Sequence, residues 1–387
     1  MLKIIDIFML FSLLCLSILM YSLSDQKIKT RSKNNFFFVL LVCLLVSVYS
    51  FRDLGLDLEA YRHMFNDASI FSNYSETQLS RPMELGWVIL IFLLKKMGLG
   101  FNFFLFFSSL IPFGIIIFIS LKEKLNKDIW LVILSFYLLF LFSSLDAIRA
   151  FFASSLILLA IYFYSSNRKL LFFIFASISV LFHSSAVIVF VFPLLMKINW
   201  KISIWFFTCL VLLISSMLFR YELATISFLD LDIERNTSLI TTIYWKMAYY
   251  LLYYNSQGYT YINGSHEILS YLINFTSILA FTFISLCLFH IRDQNAFIQN
   301  AKNIYLGAFL LYCVLNVLGA EVLAFRILVI SNLAIIFVIP YLLKTKFIGI
   351  NLFLKFGMIY SLFLHLFLVL LYQAGLHQPQ SLFFIGF

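Results

Sequence analysis

Apolar runs close to the ~20 residues that a helix needs to cross a bilayer recur from one end of this chain to the other, with short basic stretches between them. Inside lipid every backbone polar group must be satisfied within the spanning segment, so each run is expected as a helix. The runs read as 4–23, 36–51, 83–97, 101–121, 129–145, 147–165, 170–182, 184–196, 202–219, 268–289, 304–324, 326–343 and 352–373. Only 12% of the 387 residues are charged and 63% are hydrophobic, where a soluble domain is about a quarter charged. The expected fold is an all-α polytopic integral membrane protein, with residues 1–387 forming one transmembrane domain.

Lysines and arginines fix which ends share a side. They cluster at Lys27 to Lys33, at Lys122, Lys124 and Lys127, at Arg168 and Lys169, at Lys197 and Lys201, and at Lys344 and Lys346. If all of these face the cytoplasm, the chain crosses an even number of times between Lys169 and Lys197. The run 170–196 is then two short spans with a hairpin at Phe182-His183-Ser184-Ser185. The run 83–97 makes no net crossing, which predicts a re-entrant or interfacial helix. About 12 transmembrane helices remain, with both termini outside and two larger outer loops, about 52–82 and 220–267. The net charge of +9 belongs to this topology. No basic stripe with interleaved aromatics lies outside the apolar runs, which argues against nucleic acid. Cys15, Cys43, Cys209, Cys287 and Cys313 all fall within predicted spans, so no disulfide framework or thiolate metal site is expected. The first segment lacks a cleavage site followed by a hydrophilic start and reads as a span.

On this topology four ionisable residues at helix edges fall on the same side: Asp57, Arg149, His183 and Arg326. Charge at a bilayer edge marks a functional site by default. Asp57 follows Gly55 and is placed either to cap a helix or to accept a proton; on that helix Tyr61 and Phe65 continue its face. Arg149 offers a planar fork of donors suited to phosphate, or else bridges to Asp146 or snorkels to the headgroups. His183 tips the hairpin, either as a hydrogen-bonded structural group or as a general base near neutral pH. Arg326 pairs with Glu321 or forms a second phosphate clamp. In the loop 220–267, Tyr244, Trp245, Tyr249, Tyr250, Tyr253, Tyr254, Tyr259 and Tyr261 serve as interfacial anchors or as a stacking surface for sugars. Asp230-Leu231-Asp232 is a weak match to the DxD of metal-dependent sugar transferases. No second histidine at i+4 and no nearby cysteine supports a metal site at His183.

Taken in order, these segments resemble the EpsG-like family of bacterial polysaccharide polymerases, which includes Wzy-type O-antigen polymerases. The residues that carry the resemblance are Arg52, Gly55, Asp57, Tyr61 and Phe65 in the first outer loop, then Glu84-Leu85-Gly86-Trp87. Arg149 and Ala153 follow in a mid-chain helix, then Phe182-His183-Ser184-Ser185-Ala186, and late in the chain Arg326. The pattern runs over about residues 50–340. It departs from the family at Leu58, where an aromatic is usual, and at Ala150, where glutamine is usual.

The resemblance implies a GT-C-like, multi-pass glycosyltransferase of the bacterial inner (cytoplasmic) membrane with its active site facing the periplasm. It would join undecaprenyl-diphosphate-linked oligosaccharide repeats in lipopolysaccharide biosynthesis. Arginines can carry the charge of the leaving diphosphate, so neither metal nor cofactor is expected. His183 or Asp57 is expected as the catalytic base, and Arg52, Arg149, Arg326, Tyr61 and Glu84 as substrate-binding. The implied partners are the lipid-linked oligosaccharide and membrane lipid, with a chain-length regulator left open. The competing readings are a flippase or transporter of the same lipid-linked oligosaccharide, an exopolysaccharide or capsule polymerase, and an O-antigen ligase. Transporters of this kind usually show internal repeats, and this chain has none.

Overall fold

The computed structural model of the chain describes residues 9, 12, 13, 16, 17, 31–52, 58–67, 84–123, 129–140, 147–225, 265–291, 295–317, 327, 330–344 and 350–375. Among the described residues every regular element is a helix. The first half comprises α1 (Arg31–Phe51), α2 (Leu58–Asp67), α3 (Leu85–Lys96), α4 (Phe101–Lys122), α5 (Ile129–Leu139), α6 (Ile148–Ser165) and α7 (Lys169–Phe182). A 3-10 helix (Ser184–Val191) leads into α8 (Phe192–Met196) and α9 (Ile202–Thr225). Then come α10 (Ser265–Leu288), α11 (Ala296–Val317), α12 (Ile339–Lys344) and α13 (Ile350–Gly375). Helices α4 and α6 are each long and apolar enough to cross a membrane, and several of the others are apolar but shorter.

Aromatic packing joins α1, α4, α5 and α6. Phe113 of α4 lies 5.7 Å from Phe151 of α6 and 5.2 Å from Phe136 of α5, and Tyr49 of α1 meets Phe113 edge-on at 5.3 Å. Each such pair adds about 0.5–1.5 kcal/mol to the burial itself. Further along, Phe118 meets Tyr162 at 5.7 Å. Later residues of α4 thus pair with later residues of α6, so the two helices run in the same direction. Large apolar side chains remain exposed on α7 (Leu170, Phe173) and α9 (Ile204, Phe207), as a bundle facing lipid requires.

The hairpin expected at His183 is present. Helix α7 is ~21 Å long, and the 3-10 helix with α8 covers ~23 Å, which suffices to return the chain to the level where α7 began. The return is fixed by hydrogen bonds from α11. Asn300 Nδ2 donates to Ser165 Oγ (2.9 Å), just before α7, and Asn303 Nδ2 donates to the Met196 carbonyl (2.9 Å), just after α8. The two asparagines lie within one helical turn of each other.

The first turns of α11 lace one end of the bundle together. Asn295 caps the helix by accepting from the backbone N–H of Phe297 and Ile298, and its amide donates to Glu123 at the end of α4 (2.6 Å). Lys302 is buried and donates to the Ile291 carbonyl (3.1 Å). The indoles of Trp200 and Trp205 donate to the carbonyls of Asn303 and Leu306. The sequence reading began this span at 304, whereas the helix starts at Ala296. Its polar first turns lower the local hydropathy, yet each amide is used against a neighbouring helix. Asn303→Leu leaves the Met196 carbonyl without its donor and is expected to cost about 1–3 kcal/mol. Thermal unfolding in detergent should show a lower midpoint; an unchanged midpoint would show that the bond does not hold the hairpin.

Helix α3 has 12 residues, ~18 Å of rise, which is short of the ~30 Å hydrocarbon core. It ends in a Schellman turn, with Leu99 N–H donating to the Leu94 carbonyl (2.9 Å) and Gly98 at φ 71°. Near that end, Lys95 Nζ donates to the Asn66 carbonyl of α2 (2.9 Å) and lies over the Phe65 ring. Phe65 in turn packs on Phe101 and Phe104 at the start of α4. The C-terminal end of α3 is therefore held against α2 and the start of α4.

Candidate active site

Glu84 opens α3. Its backbone is extended (φ −67°, ψ 143°), and its carbonyl accepts from the Trp87 and Val88 N–H groups, which starts the helix. Its side chain makes no capping bond to its own helix. It reaches instead to two distant parts of the chain. Arg149 Nη1 donates to Glu84 Oε2 at 2.7 Å, and His183 Nδ1 lies 3.5 Å from Glu84 Oε1. One carboxylate thus faces both a guanidinium and an imidazole, one oxygen to each. The Glu84 and His183 side chains are 6% and 7% exposed, and that of Arg149 is 24% exposed. Removed from water, the charge-assisted contact to Arg149 is stronger than a surface pair would be. Arg149 is the most exposed of the three.

Local structure places each of the three. Arg149 is the second residue of α6, so its side chain emerges at that helix's first turn. His183 ends α7 in an extended conformation (φ −156°, ψ 118°). Its N–H donates to the Ser179 carbonyl and its carbonyl accepts from Ala186 N–H, both at 2.9 Å. The ring is held where the hairpin turns. Trp87, one turn into α3, donates from Nε1 to the Phe182 carbonyl at 2.7 Å. Its indole meets Phe104, Phe152 and Phe182 edge-on at 5.2–5.4 Å. Gly86 makes this approach possible: a Cβ there would lie 2.9 Å from the Leu181 carbonyl oxygen and 3.0 Å from the Phe182 ring.

Of the residues singled out in the sequence, the structure brings Glu84, Arg149, His183 and Tyr61 together. The Arg149 guanidinium carbon lies 5.8 Å from the centre of the Tyr61 ring, within cation–π range. Arg52 follows α1, buried, with its guanidinium 4.8 Å from the Tyr49 ring centre. That ring lies 6.5 Å from Phe151, two residues past Arg149. Asp57 and Arg326 fall outside the described residues, as do Asp146, Glu321, Asp230, Asp232 and the tyrosine-rich stretch of the loop 220–267. The link from Glu84 to both Arg149 and His183 was not anticipated. The partner weighed for Arg149 was the local Asp146, and a contact 65 residues apart carries no periodic signal. Its trace in the sequence was the Glu84-Leu85-Gly86-Trp87 motif itself.

The cluster occupies the opposite end of the bundle from the α11 lacing. Arg149 begins α6 and Ser165 ends it, ~24 Å away; His183 ends α7, which begins at Lys169. Lys122, Arg168, Lys169 and Lys197 adjoin the laced end, next to Glu123, Ser165 and Met196 in the sequence.

A bundle that is all-helical among the described residues, with apolar faces turned outward, basic residues at one end and a buried charged cluster at the other, is a helical membrane protein. The EpsG family profile matches residues 35–383, and the chain belongs to the EpsG family. EpsG-like polymerases are of the Wzy type, and membership supports a role as a polysaccharide polymerase. No curated protein and no solved structure matches the chain.

Proposed function

We propose that the chain is an O-antigen polymerase of the inner membrane, crossing it about 12 times in a GT-C-like arrangement, with Glu84, Arg149 and His183 at the periplasmic face. It joins undecaprenyl-diphosphate-linked repeats. The hydroxyl oxygen of the incoming repeat forms a bond to the anomeric carbon of the growing glycan. The bond from that carbon to the diphosphate oxygen breaks, and its electron pair leaves with undecaprenyl diphosphate. The hydroxyl proton passes to His183 or Asp57 acting as base. Arg149, with Arg326 and Arg52 in support, stabilises the charge that develops on the diphosphate, so the chemistry requires no metal. Tyr61 covers Arg149 and lines the approach to it. A chain-length regulator is an accommodated partner.

The observation that carries this reading is the arrangement of Arg149: its side chain is 24% exposed while its Nη1 is anchored on the buried Glu84 beside His183. A fixed cation next to a proton acceptor, at one end of a membrane bundle, suits transfer from a lipid diphosphate to a sugar hydroxyl. The test is a silver-stained lipopolysaccharide gel of the source bacterium with the gene deleted. Lipid A-core carrying a single repeat is the expected result, because export and ligation still operate. Loss of every repeat would favour a flippase or ligase, and an unchanged ladder would point to capsule or exopolysaccharide. In the complemented strain, His183→Ala or Asp57→Ala is expected to abolish long chains at normal protein levels. Unchanged chain lengths in both variants would sink the acid–base assignment.

A further inference from the structure

We propose that Glu84 is a positioning residue and not a substrate ligand: its buried carboxylate holds the base, His183, and the diphosphate clamp, Arg149, in one fixed unit. This deepens the polymerase reading and rests on it. Three features on three different helices lead there. The Glu84 carboxylate is 6% exposed and already committed through Oε2 to Arg149 at 2.7 Å, so a sugar or diphosphate reaches Arg149 first. Oε1 lies 3.5 Å from His183 Nδ1, an electrostatic contact and not a short hydrogen bond; a proton on Nδ1 would face the carboxylate and leave the lone pair on Nε2, across the ring. Gly86 and Trp87, two and three residues further on, hold α3 close against Leu181 and Phe182. The carboxylate therefore cannot drift away from the imidazole.

The arrangement assigns the acceptor proton to His183. When the sugar hydroxyl gives up its proton, Nε2 takes it and the ring becomes a cation beside Glu84 Oε1. A buried anion already in place favours that state without reorganising. At the same moment the leaving diphosphate gains charge beside Arg149, whose position is set by the other oxygen of the same carboxylate. Proton removal at the acceptor and bond breaking at the donor are thus held at a constant separation by one side chain.

Glu84→Gln keeps the shape and removes the charge. Its amide N–H₂ would face either His183 or Arg149. Against His183 it makes Nδ1 the acceptor and moves the ring proton to Nε2, the wrong tautomer for a base. Among the described residues Glu84 lies against the imidazole, and Arg149 of α6 bonds to the other oxygen of the same carboxylate, with its guanidinium beside the Tyr61 ring of α2. The experiment uses full-length protein in nanodiscs and, as substrate, undecaprenyl-diphosphate-linked repeats extracted from the deletion strain. Glu84→Gln is expected to lower kcat by about 10²-fold or more, with KM for the lipid-linked repeat changed by less than about twofold. The acid limb of the kcat–pH profile should also move to lower pH, because the imidazolium loses its neighbouring anion. Glu84→Asp should return the limb towards the wild-type position and recover part of the rate.

A lower kcat with the acid limb unmoved would reduce Glu84 to a structural role and overturn the proposal. A raised KM at constant kcat would make Glu84 a substrate ligand and overturn it equally. Wild-type protein that forms no polymer from these repeats would overturn the polymerase reading itself, and this inference with it.

Discussion

Arg149→Met is expected to stop polymer formation and to destabilise the protein at the same time, and the two losses should be separable. Arg149 is the most exposed side chain of the charged cluster, and on the proposed mechanism its guanidinium meets the developing charge on the leaving diphosphate. Removing such a donor lowers transfer by about 10³-fold. The same substitution leaves the Glu84 carboxylate, 6% exposed, without its 2.7 Å partner. Stranding a charge in that way costs about 3 kcal/mol, read as a lower unfolding midpoint in detergent and less protein in the membrane. Arg149→Met combined with Glu84→Gln removes the stranded charge and should recover stability while transfer stays absent. Arg149→Lys should keep the ion pair and stability but lose the two-pronged contact, leaving transfer low. A stable Arg149→Met protein with normal chain lengths would remove Arg149 from the reaction altogether.

The second large effect is expected at a residue that carries no chemistry. Gly86→Ala adds one methyl where a Cβ meets the Leu181 carbonyl oxygen at 2.9 Å and the Phe182 ring at 3.0 Å. The oxygen is backbone and cannot rotate aside. Either α3 or the end of α7 must move, and both choices shift Glu84 relative to His183. Overpacking of this kind costs about 1–3 kcal/mol. A displacement of about 1 Å between catalytic groups can lower the rate by about 10²-fold. The expected outcome is a folded protein, normal in gel filtration, that makes short chains only. Serine at 86 should behave like alanine, since the hydroxyl does not reduce the clash. Full-length polymer from Gly86→Ala would show that the site tolerates a looser junction than the geometry implies.

Much of the helical pattern was legible because lipid leaves the chain little freedom. The hairpin at His183 follows from two basic clusters that must share a side with only 27 residues between Lys169 and Lys197. The shortness of α3, 12 residues, follows in the same way from Lys95 and Lys96 directly after an apolar run. Both inferences use charge and length, which act locally. The start of α11 was missed because hydropathy treats Asn300, Lys302 and Asn303 as reasons to end a span, whereas here they bond to Ser165, Ile291 and Met196. Satisfaction by a distant partner leaves no mark in a sliding window.

The same holds at the site. Arg149 and His183 stand out as ions at helix edges, but each is also explained by local pairing, snorkelling or a structural hydrogen bond when read alone. Glu84 drew notice only through the motif that contains it. What joins them is that α3, α6 and α7 converge, and convergence is a property of packing. Trp87 illustrates the difference: by composition it is an interfacial aromatic, and in the fold it is the wedge that docks α3 on the Phe182 carbonyl.

The polar contacts between helices gather at the two ends of the bundle. Glu84, Arg149, His183 and Trp87 join one end; Asn295, Asn300, Asn303, Trp200 and Trp205 join the other. Between them the serines of α4, α5 and α6 turn back on carbonyls of their own helices: Ser109 and Ser120, Ser135, Ser154 and Ser155. Among the described residues the middle of α4, α5 and α6 is joined by aromatic and aliphatic contact, and directional bonds to neighbouring helices lie towards the ends of α6. A body pinned at two levels ~24 Å apart along α6 carries its own gauge of membrane thickness. A bilayer that is too thin or too thick loads the pins and not the middle, and one of those pins is the charged cluster itself. The alignment of that cluster is therefore expected to respond to lipid thickness, which polymer yield in nanodiscs of short- and long-chain lipids would measure.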